Sequence, residues 1–225
     1  MIRDERLERA EELYQRSVFG ADSSGLGEAD RLLDEVEADL SLARGKVLHA
    51  RFLEQRGSGG ERPVADPGEV QFFERAAELY EALADVRGQA EARFWVGCFY
   101  QVVLDDEGKA IPLFERAAAL AGEAGDKLTL SYALRHLGFA DHQAGRLDAA
   151  RERFTESTRL RQEVGFLPGV AANLIGLAYV ASQQGRRDEA IEFATQARAV
   201  AEECGAGRMV VLAGETLREV RSPDS

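Results

Sequence analysis

The residues of this 225-residue chain with the most reactive side chains are three histidines, His49, His136 and His142, and two cysteines, Cys98 and Cys204. A metal site would need several of them on one face. No HExxH occurs, and His136 and His142 are six residues apart, which turns them about 120° from each other on a helix and prevents joint chelation from it. The cysteines lie far apart and form no CxxC, so neither a disulfide framework nor a thiolate zinc site is indicated. A nucleophilic Cys98 would need a matched His-Asn set; none accompanies it, and it reads as a small buried residue. The run Asp105-Asp106-Glu107 falls where a helical pattern begins, so its carboxylates are read as complementing a helix N-terminus before a cation site. The glycine-bearing SSGLGEAD at 23–30 lacks the lysine and the preceding strand of a phosphate loop. His142 remains a candidate acid or base, without a nucleophile or carboxylate at helical spacing to complete a catalytic set. No metal or cofactor is expected.

What positions these residues is legible from a repeat. The pentapeptide FERAA occurs at 73–77 and again, 41 residues on, at 114–118. In the same register Gly97 falls on Gly138. The period continues at 40, with Ala110, Phe114 and Ala117 followed by Ala150, Phe154 and Ser157, then by Ala190, Ala194 and Ala197. Each block carries two amphipathic stretches with apolar residues at i, i+3, i+4 and i+7, the pattern of helices with one buried face. Small residues at Gly97, Gly138 and Ala178, and at Ala110, Ala150 and Ala190, permit close approach of the two stretches as an antiparallel hairpin.

This reading predicts eleven helices. The first helices of successive pairs run over 4–17, 42–56, 88–103, 127–143 and 168–183, the second over 28–40, 68–84, 107–123, 147–163 and 187–203, and a last one spans about 207–220. Gly145 and Gly185 suit the left-handed position that ends a helix, and Asp148 and Asp188 the first turn of the next. The Gly- and Pro-rich RGSGGERPVADPGE at 56–69 reads as a loop inserted at a hairpin turn.

Composition bounds the partners. A formal net charge of -12 repels a phosphate backbone and argues against nucleic acid or an anionic membrane. The first residues are charged, and no apolar run approaches the ~18 residues of a membrane span, so a cytoplasmic location is expected.

The residues Val96-Gly97, Tyr100, Ala110, Phe114 and Ala117, then Leu134, Leu137-Gly138, Ala150 and Phe154, then Leu174, Leu177-Ala178, Ala190 and Ala197 resemble the tetratricopeptide repeat. The resemblance is strong over 68–203 and degenerate over 1–67, with 206–220 as a capping helix. Asp141 stands where the repeat has an aromatic, Ala194 where it has Phe, and the closing Pro is missing. The 40- to 41-residue period is similar to the longer kinesin-light-chain type of repeat, common in bacterial signalling and regulatory proteins.

The resemblance implies an all-α, right-handed superhelix, an α-solenoid of about five antiparallel hairpins plus a C-terminal cap, in a single domain over 1–225. It also implies a concave side lined by the first helices. An i, i+4, i+7 stripe there collects Phe94, Cys98 and Gln101, then Arg135, Phe139 and His142, then Ile175, Tyr179 and Ser182; the helix at 42–56 adds Val47, Arg51 and Glu54. Aromatic area beside Arg135 suits a peptide or small ligand bearing a carboxylate. The alternative is that Phe94, Phe139 and Tyr179 pack helix against helix. Trp95, one step off the stripe, reads as core. The Lys and Asn set that clamps a chaperone tail in some members is absent, Phe94, Cys98, Tyr132 and His136 standing among the equivalent positions.

The implied function is a non-enzymatic scaffold or adaptor that binds a protein or peptide in the groove. One alternative is a small-molecule or signal-peptide sensor, another an enzyme using His142 as acid or base. Leu7, Ala10, Leu13 and Val18 of the first helix either pack internally or form a contact between copies, so monomer and homodimer both stay open.

Overall fold

The computed structural model describes residues 4–57 and 62–222, and its regular elements are helical throughout. Ten α-helices occur among the described residues: α1 (Glu5–Gly20), α2 (Leu26–Gly57), α3 (Pro67–Ala82), α4 (Val86–Cys98), α5 (Glu107–Glu123), α6 (Lys127–Gln143), α7 (Leu147–Glu163), α8 (Leu167–Gln183), α9 (Arg187–Glu203) and α10 (Gly207–Arg221). None is long and apolar enough to cross a membrane. The chain forms two compact units, Met1–Leu113 and Phe114–Ser225, the division falling within α5.

One sequence expectation is corrected here. The helices expected at 28–40 and 42–56 are a single helix of 32 residues, α2. Between them stands Leu40-Ser41-Leu42 with no Gly or Pro to end the ladder, and Ser41 and Leu42 are both buried. The expected loop at 56–69 is bounded by Gly57 and by Asp66, whose side chain accepts the Gly68 N–H ahead of α3; residues 58–61 lie outside the described residues.

In the first unit α1 packs on α2, α2 on α3 and α3 on α4. Its core gathers Ala38, Leu42, Phe73, Ala76, Tyr80, Ala92 and Val96, with Trp95 stacked on Phe73 at 5.6 Å between ring centroids. The phenylalanine of the FERAA motif needs a gap in the facing helix: a Cβ on Gly45 would meet the Phe73 ring at 2.4 Å. In the second unit the equivalent Phe154 ring fills the space at Gly176, where a Cβ would lie 2.9 Å from it. Here α6 pairs with α7 and α8 with α9, α7 bridges to α8, and α10 covers α8 and α9.

The turns between these helices follow one pattern. Gly125, Gly145, Gly165, Gly185 and Gly205 recur every twenty residues with φ between 68° and 74°. After each, a backbone N–H reaches back five residues, as from Arg146 to Asp141 and from Arg186 to Ala181, both at 2.8 Å, and closes the helix end. Three earlier helix ends place non-glycine residues in the same left-handed conformation, Ala21 (φ 54°), Ala84 (φ 56°) and Asp105 (φ 55°).

The interval from Ala84 to Asp105 is 21 residues instead of twenty, and the extra residue is absorbed in a π-helical turn, Phe99–Val103, that ends α4. The Leu104 N–H bonds Phe99 O and the Asp106 N–H bonds Tyr100 O, each one residue further back than in the other hairpins. This turn is the structural origin of the 41-residue first period. Carbonyls at its open end are taken by arginines from the last turn of α2 and from the α2–α3 connection: Arg56 Nη1 donates to Val102 O at 3.1 Å and Arg62 Nη2 to Val103 O at 3.0 Å. Arg62 also pairs with Asp105.

Candidate functional site

The nine residues expected on one exposed stripe separate into two groups. Phe94 and Cys98 are 2% exposed and Gln101 is 6% exposed, so the expectation that they face an open groove is corrected. A stripe projected at 100° per residue assumes a regular helix, and the wider π turn beginning at Phe99 changes the azimuth of Gln101. Its amide instead donates to both carboxylate oxygens of Glu107 at 3.1 Å. Phe94 and Cys98 precede the turn and belong to the buried side of α4, Phe94 meeting the Trp95 ring edge-on at 5.3 Å.

The other six lie on α6 and α8, which touch each other, and each keeps part of its surface open. Phe139 is 39% exposed. Arg135, His142, Ile175, Tyr179 and Ser182 are half-buried, and Ile175 also packs against the core formed by Val170, Leu174 and Leu177. Helix α10 extends the register, with the exposed residues Glu215 and Glu219 forty positions after Ile175 and Tyr179. The Tyr179 phenol donates to Glu219 Oε2 at 2.8 Å and lies 3.2 Å from Thr216 Oγ1. Burial, reinforced by the hydrogen bond to Glu219, pushes its ionisation up. Burial pushes the His142 imidazole down, favouring its neutral form, and its Nε2 has no hydrogen-bond partner among the described residues. This surface therefore offers an aromatic ring, a guanidinium and an imidazole held toward its neutral form.

Two polar features beneath this face were not anticipated. Asp141, which departs from the repeat's aromatic, is 2% exposed. Its Oδ1 lies 2.7 Å from Arg146 Nη2 and its Oδ2 2.8 Å from Arg153 Nη1, so the carboxylate ties the end of α6 to the hairpin turn and to α7. Arg161 of α7 is 1% exposed. Its guanidinium donates to Gly169 O at 2.7 Å, to Asn173 Oδ1 at 2.9 Å and to Ser131 Oγ at 3.3 Å, and lies over the rings of Tyr132 and Phe166. None of these partners is a carboxylate. Desolvation, then the nearby Arg135, pushes Arg161 down to about 9. Asn173 in turn donates to Ser157, which donates to Ser131 O, so one buried chain of hydrogen bonds joins α6, α7 and α8. The signal was in the register: Arg161 stands forty residues from Ala121 and from Ala201, both fully buried.

The hairpins, their glycine-ended turns and their 40-residue period define an all-α repeat protein of the solenoid class. The tetratricopeptide-repeat family model matches residues 129–203, a third of the chain. Among solved structures, aspartyl phosphate phosphatase F from Bacillus subtilis is similar with a TM-score of 0.67 at 13% identity, covering 97% of this chain and 55% of that one. The chain thus spans about half the length of that phosphatase. A putative kinesin light chain from Podosopora anserina with nearly identical TPR-like repeats is similar with a TM-score of 0.50 at 15% identity, covering 83% of this chain and 92% of that one. A single-substitution variant of that kinesin light chain gives 0.51 at 14% identity. At these identities the likeness is one of fold. No curated protein matches the chain in sequence.

Proposed function

We propose that this chain is a non-enzymatic interaction module that holds a peptide, or an extended segment of a partner protein, against the shared face of α6 and α8. The observation that supports this best is a repeated one: Arg135, Phe139 and His142 recur forty residues on as Ile175, Tyr179 and Ser182, all six partly open, while Leu137 and Leu177 between them are buried. Hairpins that only packed against one another would have no need to leave an aromatic partly open at the same azimuth of neighbouring helices, with a cation beside the first. Phe139 and Ile175 supply apolar area, and Arg135 a forked donor for a carboxylate. The Tyr179–Glu219 pair at the far side presents acceptors to backbone N–H groups. His142 serves as a contact residue, since its Nε2 meets no carboxylate among the described residues that would raise its basicity.

The test is capture from an arrayed library of short peptides carrying apolar and acidic residues, by the full chain and by a Phe139→Ser, Arg135→Glu variant whose thermal unfolding matches wild type. Loss of the captured set in the variant is the expected result. Identical capture by both proteins removes this face from the account.

A further inference from the structure

The first unit carries an apolar stripe that the interaction face of the second does not use. Along α2, Leu26, Leu33, Leu40 and Val47 stand at every seventh residue and are 40%, 45%, 50% and 52% exposed. Helix α1 adds Leu7 and Tyr14, also seven apart, with Val18; these are 43%, 52% and 54% exposed. The interior of the unit is built from other positions, Ala10, Leu13, Ala29, Ala38 and Leu42, so the stripe is separate from the core. It is also furrowed. A concavity of about 930 Å³ is lined by Leu7, Tyr14 and Leu33 together with the acids Asp4, Glu8, Glu11 and Glu12 of α1 and its cap, and one of about 470 Å³ by Leu40, Val47 and Phe72 with Arg44 and Arg51. A strict seven-residue spacing fits a helix that follows a neighbour of the same repeat. The exposed parts of these seven side chains sum to ~600 Å², at the upper end for a monomer's largest apolar patch and near the ~800 Å² per partner of a standard interface.

The charges beside the stripe say which neighbour. Four residues after Leu26 and Leu33 come Asp30 and Glu37; four residues after Leu40 and Val47 come Arg44 and Arg51, all on the same flank of the stripe. The first half of the seam is thus flanked by acids, of which Glu37 also bonds Arg75 of its own chain at 2.7 Å, and the second by arginines, of which Arg44 lies over the Phe72 ring. An antiparallel copy related by a two-fold axis at residues 40–41 sets Glu37 opposite Arg44 of the second copy and Asp30 opposite Arg51, twice over. Leu33 then meets the level of Val47 and Leu48, and Leu40 meets its own equivalent near the axis. A parallel copy would oppose acid to acid. A purely acidic peptide would complement only the arginine half.

We propose that this chain self-associates through an isologous, antiparallel contact of α2 with α2, bordered by α1. The experiment is sedimentation of the full chain at about 100 µM, well above the dissociation constant of a stable dimer. Wild type is expected as a dimer. Leu33→Glu combined with Leu40→Glu, at exposed positions that leave helix content and unfolding temperature unchanged, weakens association ~100-fold or more. Charge reversal gives a stricter reading. Arg44→Glu with Arg51→Glu, and separately Asp30→Arg with Glu37→Arg, each yield monomers, and mixing the two variants restores a dimer. A monomeric wild type, a dimer that survives the leucine substitutions, or a mixture that stays monomeric overturns the proposal. Loss of an arrayed acidic peptide by the arginine variant, with wild type monomeric, gives the face to a foreign ligand and overturns it equally.

Discussion

If the π turn at Phe99–Val103 holds one inserted residue, removing that residue should be tolerated where a deletion in a regular helix is not. The register confines it to the turn. Upstream positions match the next repeat at an offset of 41, as Gly97 to Gly138, and downstream positions at 40, as Asp105 to Gly145, so one residue between Tyr100 and Leu104 has no counterpart, and Val102, half-buried between the buried Gln101 and Val103, is the one to remove. Deleting Val102 converts the turn to α-helix and keeps the core residues on both sides in place. The loss is the hydrogen bond from Arg56 to Val102 O, exposed and hence worth ~1 kcal/mol, together with the packing of the half-buried Val102 side chain beside Phe52, Phe99 and Val103, against the gain of regular i to i−4 bonding. The expected net change lies within ~1–2 kcal/mol, a shift of ~2–8 °C in Tm for a chain of this length. The control is deletion of Leu134 in α6. Every residue after it would rotate by ~100°, carrying Leu137, Ala140 and Asp141 off the buried side. A single buried leucine is worth ~1.5–3 kcal/mol, so several such displacements exceed the ~5–15 kcal/mol that holds a domain together. Calorimetry should show one cooperative transition for the Val102 deletion and none for the second unit in the control. Unfolding of the Val102 variant, or equal tolerance of both deletions, would refute the insertion argument.

Three further outcomes follow from side chains already described. Ala84 occupies the left-handed position that glycine takes in five later turns, so Ala84→Gly should stabilise by ~0.5–1 kcal/mol in denaturant unfolding, the relief of backbone strain exceeding glycine's entropy cost, whereas Gly145→Ala should destabilise by at least as much. Asp141→Ala removes a buried carboxylate from two arginines that can rehydrate, and should cost ~2–3 kcal/mol, less than a fully buried pair, seen as a Tm lower by ~4–12 °C. Because burial lowers the folded-state pKa of His142 below the ordinary 6.5, its contribution is fully present above 6.5 and is lost as pH falls through the folded value. A His142→Gln variant should therefore lose less Tm than wild type between about pH 7.5 and pH 5.5, and parallel losses would contradict the burial.

The parts of the fold visible in the sequence are those set by residue size. Gly145, Gly185 and the FERAA phenylalanines announce turns and close helix contacts because few other side chains fit there. Places where irregular backbone or partner geometry decides were hidden. The fusion of two expected helices into α2 turned on the absence of a breaker near Ser41, a negative signal that hairpin periodicity overrode. Gln101 was misplaced because a single inserted residue rotates a helix end, and the 41 against 40 in the spacing was its trace. Of the projected stripe, the six residues on α6 and α8 kept partial exposure, whereas Phe94 and Cys98 on the buried side of α4 and Gln101 in the π turn did not. Arg161 shows how a repeat can be read more finely. A cation in a register that holds alanine at Ala121 and Ala201 must either leave the core or find its acceptors inside it. Gly169 makes the second course possible, since a Cβ there would come within 2.8 Å of Arg161 Cδ, and Asn173, Ser131 and the Gly169 carbonyl then satisfy the guanidinium. An identical register with a different residue type therefore marks where one hairpin's interior has been rebuilt, and the compensating glycine eight residues on shows that the change was accommodated by the helix that follows.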